Sequence, residues 1–76
     1  MPHVIVKMNA GRSEAQKAAL TDEIVKAVMT HAKCAEDAIS VAIEDIGPGE
    51  WTEKVYRPDI LPNLDQLHKK PGYDPL

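Results

Sequence analysis

Pro2 is the first residue with a chemistry of its own. An initiator methionine followed by a small residue is ordinarily removed, so the mature chain is expected to begin with a secondary amine. An α-amino group has the lowest pKa of the common amines, about 7.7–8.0 when unperturbed. A proline amine is more basic than that average, and burial or a nearby cation lowers it toward neutrality. A base whose pKa lies near the working pH is suited to taking up and returning protons. The other reading is that Pro2 merely permits the loss of Met1. Proline makes up about 5% of residues on average, so Met-Pro alone does not decide between the two.

Arg12 is one of two arginines and sits in a Gly-Arg-Ser turn. A guanidinium can clamp a carboxylate through two parallel hydrogen bonds. Exposed backbone N–H groups at a helix start would add anion affinity. The alternative is a solvated loop arginine. Trp51 is the single tryptophan and follows Gly47-Pro48-Gly49. It is either an apolar pocket wall or an anchor for the helix behind it. Arg57 gives no specific signal. His31 and Cys34 are three apart, but two ligands without further clusters do not make a metal site. Glu36-Asp37 and Glu44-Asp45 read as solvated charges. No phosphate loop, Ser-His-Asp set or nucleotide motif is visible.

These side chains need a scaffold. Residues 2–8 read as a strand, with Pro2, Val4, Val6 and Met8 on one face and His3, Ile5 and Lys7 on the other. That alternation places His3 and Lys7 away from a site built on Pro2. Ser13 opens a helix, and Gln16 three residues on completes a capping box. Leu20, Ile24, Ala27, Val28 and His31 recur at helical spacing, with Val25 and Met29 widening the stripe. Lys17, Asp22, Glu23 and Lys26 are expected on the solvent side, and the helix is expected to end near Lys33. Residues 38–46 read as a second strand, so the two strands of this βαβ unit should run parallel. After the Gly-Pro-Gly break, residues 50–57 predict a short helix carrying Trp51 and Val55. Pro58 restarts or kinks it. Ile60, Leu61, Leu64, Leu67 and His68 continue the apolar stripe to Lys69-Lys70, and Pro71-Gly72 ends it.

The chain has 76 residues, one cysteine and a net charge of −3. That length makes one domain, residues 1–76, which buries only about 60% of its unfolded surface. Small domains commonly add disulfides, a metal or a partner subunit. One cysteine excludes an internal disulfide, and three scattered histidines do not make a zinc site. Oligomerisation remains by elimination. Two strands alone are not a stable sheet, and their edges invite another chain. A dimer would hold at least four strands, with helices over one face. Weak acidity without a basic run argues against nucleic acid. No apolar run reaches the length of a signal-peptide core or a membrane span, and a lone cysteine suits a reducing compartment, so the expected address is the cytoplasm.

Met-Pro, a strand, Gly11-Arg12-Ser13-x-x-Gln16-Lys17, a long helix and a second strand together resemble the 4-oxalocrotonate tautomerase family over about residues 2–51. Glu50-Trp51, the later prolines and Lys69-Lys70-Pro71-Gly72-Tyr73 are similar to its longer-tailed, PptA-type branch. The resemblance implies an α+β tautomerase (MIF-like) fold, a βαβ unit with a kinked C-terminal helix, completed by oligomerisation. It implies that Pro2 shuttles a proton between enol and keto forms without a cofactor. It further implies that Arg12 binds a small-molecule carboxylate substrate and that Trp51 takes the place of an aromatic pocket residue. Ser40 falls where the founding enzymes carry a second arginine. That departure turns the expectation from dicarboxylates toward a monocarboxylate such as phenylenolpyruvate. The family's short chains form hexamers, whereas the longer-tailed branch forms dimers, so a homodimer is expected. Two rivals remain. One is a hydratase or dehalogenase of small unsaturated acids, which needs a second acid–base group to activate water; no residue stands out for it, and Glu44 and His31 are left open. The other is a non-catalytic dimeric interaction module.

Overall fold

The structure is a computed structural model and describes all residues, 1–76. Two parallel strands, β1 (His3–Asn9) and β2 (Ser40–Ile46), flank one long helix, α1 (Glu14–Ala32). His3 pairs with Ser40 and Asn9 with Ile46, so both strands start at one end of the sheet and finish at the other. The βαβ unit and its parallel pairing are as the alternation of apolar residues predicted. The strands begin one and two residues later than expected. The delay in β2 arises because Glu36–Ala38 form a short 3-10 turn first.

Local chemistry sets the ends of α1. Ser13 Oγ accepts from the Gln16 N–H at 3.1 Å, and Gln16 Oε1 accepts from the Ser13 N–H at 2.8 Å. This reciprocal cap satisfies two helix-end donors that would otherwise need water. Lys33 ends the helix in the left-handed conformation, φ 57°. Lys17 departs from the solvent side expected of it. Its ammonium lies 2.7 Å from Asp45 Oδ2 and its side chain is only 17% exposed. Asp45 shares the sheet face of Val41 and Ile43, which the register sets beside Val4, Val6 and Met8. The bridge therefore seats α1 on that face. Ala27 and His31, expected in the buried stripe, are exposed.

The C-terminal helix neither restarts nor changes register at Pro58, where a restart or kink is expected. It winds continuously over Thr52–Ile60 in the π register, and the Leu61 N–H donates to the Tyr56 carbonyl five residues back. Pro58 has no N–H to give, so an α register would lose a bond there regardless. A 3-10 stretch, Leu61–Gln66, follows, and Lys69-Lys70 lie beyond the helical end expected of them. Asp59 meets Lys7 at 2.5 Å, which ties this helix to the sheet face opposite α1. Leu61 and His68 are exposed.

Burial is sparse. Ile46, Val55 and Tyr56 are the only buried residues, and no side chain is fully enclosed. The chain exposes 5607 Å², whereas a folded monomer of its mass exposes about 4,600 Å². Its radius of gyration is 14.1 Å, against about 11 Å for a compact domain of this length. On the sheet face opposite α1, Ile5 is 52% exposed, with His3 and Ser40 exposed beside it. No helix is long and apolar enough to cross a membrane.

Candidate active site

Pro2 stands immediately before β1 and is half-buried. Its carbonyl accepts the Ser40 N–H at 3.2 Å, which fixes the residue at the head of the sheet. Met1 ahead of it is fully exposed. The parallel register brings Ser40 to the same end, and Ser40 Oγ lies 2.6 Å from His3 Nδ1 in a hydrogen bond. His3 was expected outside the site because its side chain leaves the strand on the face opposite the Pro2 ring. That alternation holds. What it could not supply was the register, which aligns His3 with a second candidate residue.

Arg12 lies at the other end. The Ala10 N–H donates to the Ile46 carbonyl at 2.8 Å, so the ladder runs one residue past β1 before the chain reverses. Gly11 makes that reversal at φ +129°, a conformation that side chains rarely adopt. Arg12 Nη1 donates to the Asn9 carbonyl at 2.9 Å, which holds the guanidinium at the foot of the strand. At about 3.3 Å per residue, β1 separates Pro2 from this end by about 25 Å. An arginine side chain cannot span that distance. Within one chain, Pro2 and Arg12 therefore do not form a common site, contrary to the simplest reading of the sequence. Arg12 also has no carboxylate partner, unlike Arg57, whose Nε meets Glu53 at 2.9 Å. It is a cation at a strand end with most of its N–H donors uncommitted.

Trp51 belongs to the Arg12 end. It follows β2 after a tight turn in which the Glu50 N–H donates to the Gly47 carbonyl at 3.1 Å. Gly49 occupies the left-handed region there, φ +74°. Trp51 is half-buried, and its indole N–H donates to Tyr73 Oη at 2.7 Å. The Tyr73 ring also lies 5.9 Å from that of Tyr56, tilted at 49°. Burial, followed by the nearby Asp74 and Tyr73, raises the pKa of the Tyr56 phenol. Nothing in the tail's sequence announced the Tyr73 contact beyond the presence of an aromatic. The single open depression on the surface, about 220 Å³, is lined by Asp22, Val25, Lys26, Met29 and Glu36 and by none of the candidate residues. Glu44 lies on the Lys7 side of the sheet, its charge helping to raise the Lys7 pKa, and His31 is exposed at the end of α1.

The architecture is thus a strand–helix–strand unit with a C-terminal helix, carrying a proline at the head of its sheet and an unpaired arginine at the foot. It is an α+β fold of the tautomerase type. Comparison with known proteins agrees. A family model described as "Tautomerase enzyme" matches residues 2–55. A tautomerase PptA of Cronobacter sakazakii is 39% identical over 75 residues, which is 97% of this chain and 99% of that protein. A probable tautomerase of Xylella fastidiosa is 41% identical over 76 residues, the whole of this chain and 93% of the other. The crystal structure of YwhB, a homologue of 4-oxalocrotonate tautomerase, matches with a TM-score of 0.59 at 37% identity. That match covers 60% of this chain and 75% of YwhB. The chain belongs to the tautomerase family, and its class of chemistry is that of an isomerase.

Proposed function

We propose that the protein catalyses enol–keto tautomerisation of small 2-hydroxy-enoates or enolpyruvates, phenylenolpyruvate among them, with the Pro2 amine as general base and acid. The observation that carries the reading is the placement of Pro2. Its carbonyl is pinned by the Ser40 N–H at 3.2 Å, so an amine released by loss of Met1 would sit on a rigid strand rather than a free end. The neutral amine takes the proton from the 2-hydroxyl. The O–H electrons form the carbonyl, and the C2=C3 pair moves to C3. The new ammonium then delivers the same proton to C3. Proton transfer of this kind needs no metal or organic cofactor, since fixed cations and dipoles can meet the enolate charge.

The substrate carboxylate needs a cation, and the Arg12 of the same chain lies too far away. Two chains packed head to foot would set Arg12 of the partner subunit, and its Trp51, beside Pro2. The closed symmetry of such a homodimer would generate two equivalent sites. The large exposed surface and the open Ile5 face support this assembly. Ser40 offers a hydroxyl where a second cation would favour a dicarboxylate, which favours a monocarboxylate substrate. A free Cys34 suits a reducing, cytoplasmic setting.

The test begins with intact mass to establish loss of Met1. Ketonisation of phenylenolpyruvate is then followed by ultraviolet absorbance. Pro2→Ala should lower kcat/KM by about 10²–10⁴-fold, the usual worth of a positioned acid–base group. Unchanged turnover removes Pro2 from the mechanism. A hydratase reading would draw on the His3–Ser40 pair, at the same end of the sheet as Pro2 but on its other face, as a second acid–base group. It requires oxygen from labelled water to appear in the product of an unsaturated acid.

A further inference from the structure

Beyond Gln66 the chain has no regular structure, and one hydrogen bond joins this tail to the rest of the molecule, from Trp51 Nε1 to Tyr73 Oη. The same tyrosine ring leans on Tyr56, which is only 3% exposed. The π register explains why one residue reaches both. Trp51 caps the π helix and Tyr56 lies five residues on, so with hydrogen bonds running from i+5 to i the two come near enough to one side for Tyr73 to meet both. A half-buried indole can still pivot about its two side-chain torsions. A hydrogen bond at its nitrogen and a tilted ring against its neighbour together restrict that pivot.

We propose that Tyr73 is a specificity-determining positioning residue: the tail clasps the Trp51 indole in one orientation, and that orientation makes the substrate pocket prefer a flat aromatic side chain. The inference rests on the reading of Trp51 as a pocket wall in the proposed tautomerase. Tyr73 itself need not touch the substrate. Its hydroxyl oxygen accepts the indole N–H, and the ring holds the tail down. A clasped indole presents a fixed apolar face to a phenyl group, whereas a substrate with only a short unsaturated chain gains little from that face.

The experiment uses the full chain, with loss of Met1 verified by mass, and compares phenylenolpyruvate with 2-hydroxypenta-2,4-dienoate. Tyr73→Phe keeps the ring against Tyr56 and removes only the acceptor. It should raise KM for phenylenolpyruvate about fivefold, the worth of one net hydrogen bond, and leave kcat within about twofold. The constants for the dienoate should not move. Trp51 is the only tryptophan, so its emission should shift to the red and its anisotropy fall in the same variant. In a Trp51→Phe background the Tyr73→Phe change should add no further discrimination. Equal losses for both substrates, or unchanged constants and emission, overturn the clasp. If the wild type ketonises neither substrate, the underlying reading falls and takes the clasp with it. An active wild type whose substrate preference survives Tyr73→Phe removes the clasp alone.

Discussion

Arg12 keeps one N–H on the Asn9 carbonyl and turns its remaining donors to solvent with no acidic neighbour. A cation held by its own backbone but left unpaired is well placed to bind a carboxylate. Arg12→Ala should raise KM for an enolpyruvate by about tenfold or more, the worth of a charge-assisted hydrogen bond. Arg12→Lys should recover only part of it, because an ammonium lacks the planar fork. Initial-rate kinetics on both variants checks this, and an unchanged KM removes Arg12 from substrate binding. Residue type, with the family resemblance, was enough to single out Pro2, Arg12, Ser40 and Trp51 as candidates in the sequence. Their grouping was not legible there. Which residues share an end of the sheet depends on the register of β1 against β2, and alternation within one strand says nothing about its offset from another.

Among the elements, α1 was the most legible, because its start is written in local chemistry. Ser13 and Gln16 close on each other without tertiary help, so the cap could be read from a spacing of three. Ser13→Ala should cost about 1 kcal/mol, seen as a lower denaturation midpoint with an unchanged m-value. The ion pairs anchoring α1 and the C-terminal helix were less visible, since they join residues 28 and 52 positions apart. Hydrogen bonding to Asp59, with its charge and that of Glu44, raises the Lys7 pKa above its ordinary value of 10.5. Asp45 does the same for Lys17, again chiefly through the hydrogen bond. A raised lysine pKa stabilises the fold fully below the unfolded value, and that contribution fades as pH rises through the folded one. The two ties should therefore be indifferent to pH across the neutral range and weaken only above about 10.5. Thermal melts of wild type and Lys17→Met at pH 7 and pH 11 should converge at the higher pH. The C-terminal helix was the least legible element. Pro58 signals a break when read against an α-helix, but the π register passes through it with no interruption.

At the scale of the molecule, three buried residues are too few to hold a 76-residue chain together. Stability here is expected to depend on concentration, as it does wherever folding and association are one event. Native mass spectrometry should find a dimer or a larger assembly. Dilution should lower the melting temperature. Ile5→Glu, on the open sheet face, should weaken association by about 2 kcal/mol per chain or more, because it forfeits the burial of an isoleucine and adds a charge. A stable, monomeric wild type that melts independently of concentration overturns this expectation. Length and cysteine count alone point to a partner. They do not say which face it would use, because the alternation in β1 makes both faces of the sheet apolar: Val4 and Val6 on one, Ile5 on the other.

In the proposed homodimer the parallel strands would give each chain the head of one site and the foot of another. Ownership of a site would then be shared, and two defective proteins could repair each other. Chains with Pro2→Ala and chains with Arg12→Ala, each impaired alone, should regain about a quarter of wild-type sites when unfolded together and reassembled at equal amounts. Half of the pairs formed would be mixed, and each mixed pair would hold one untouched site beside one doubly damaged site. A site built within a single chain would recover nothing from the mixture.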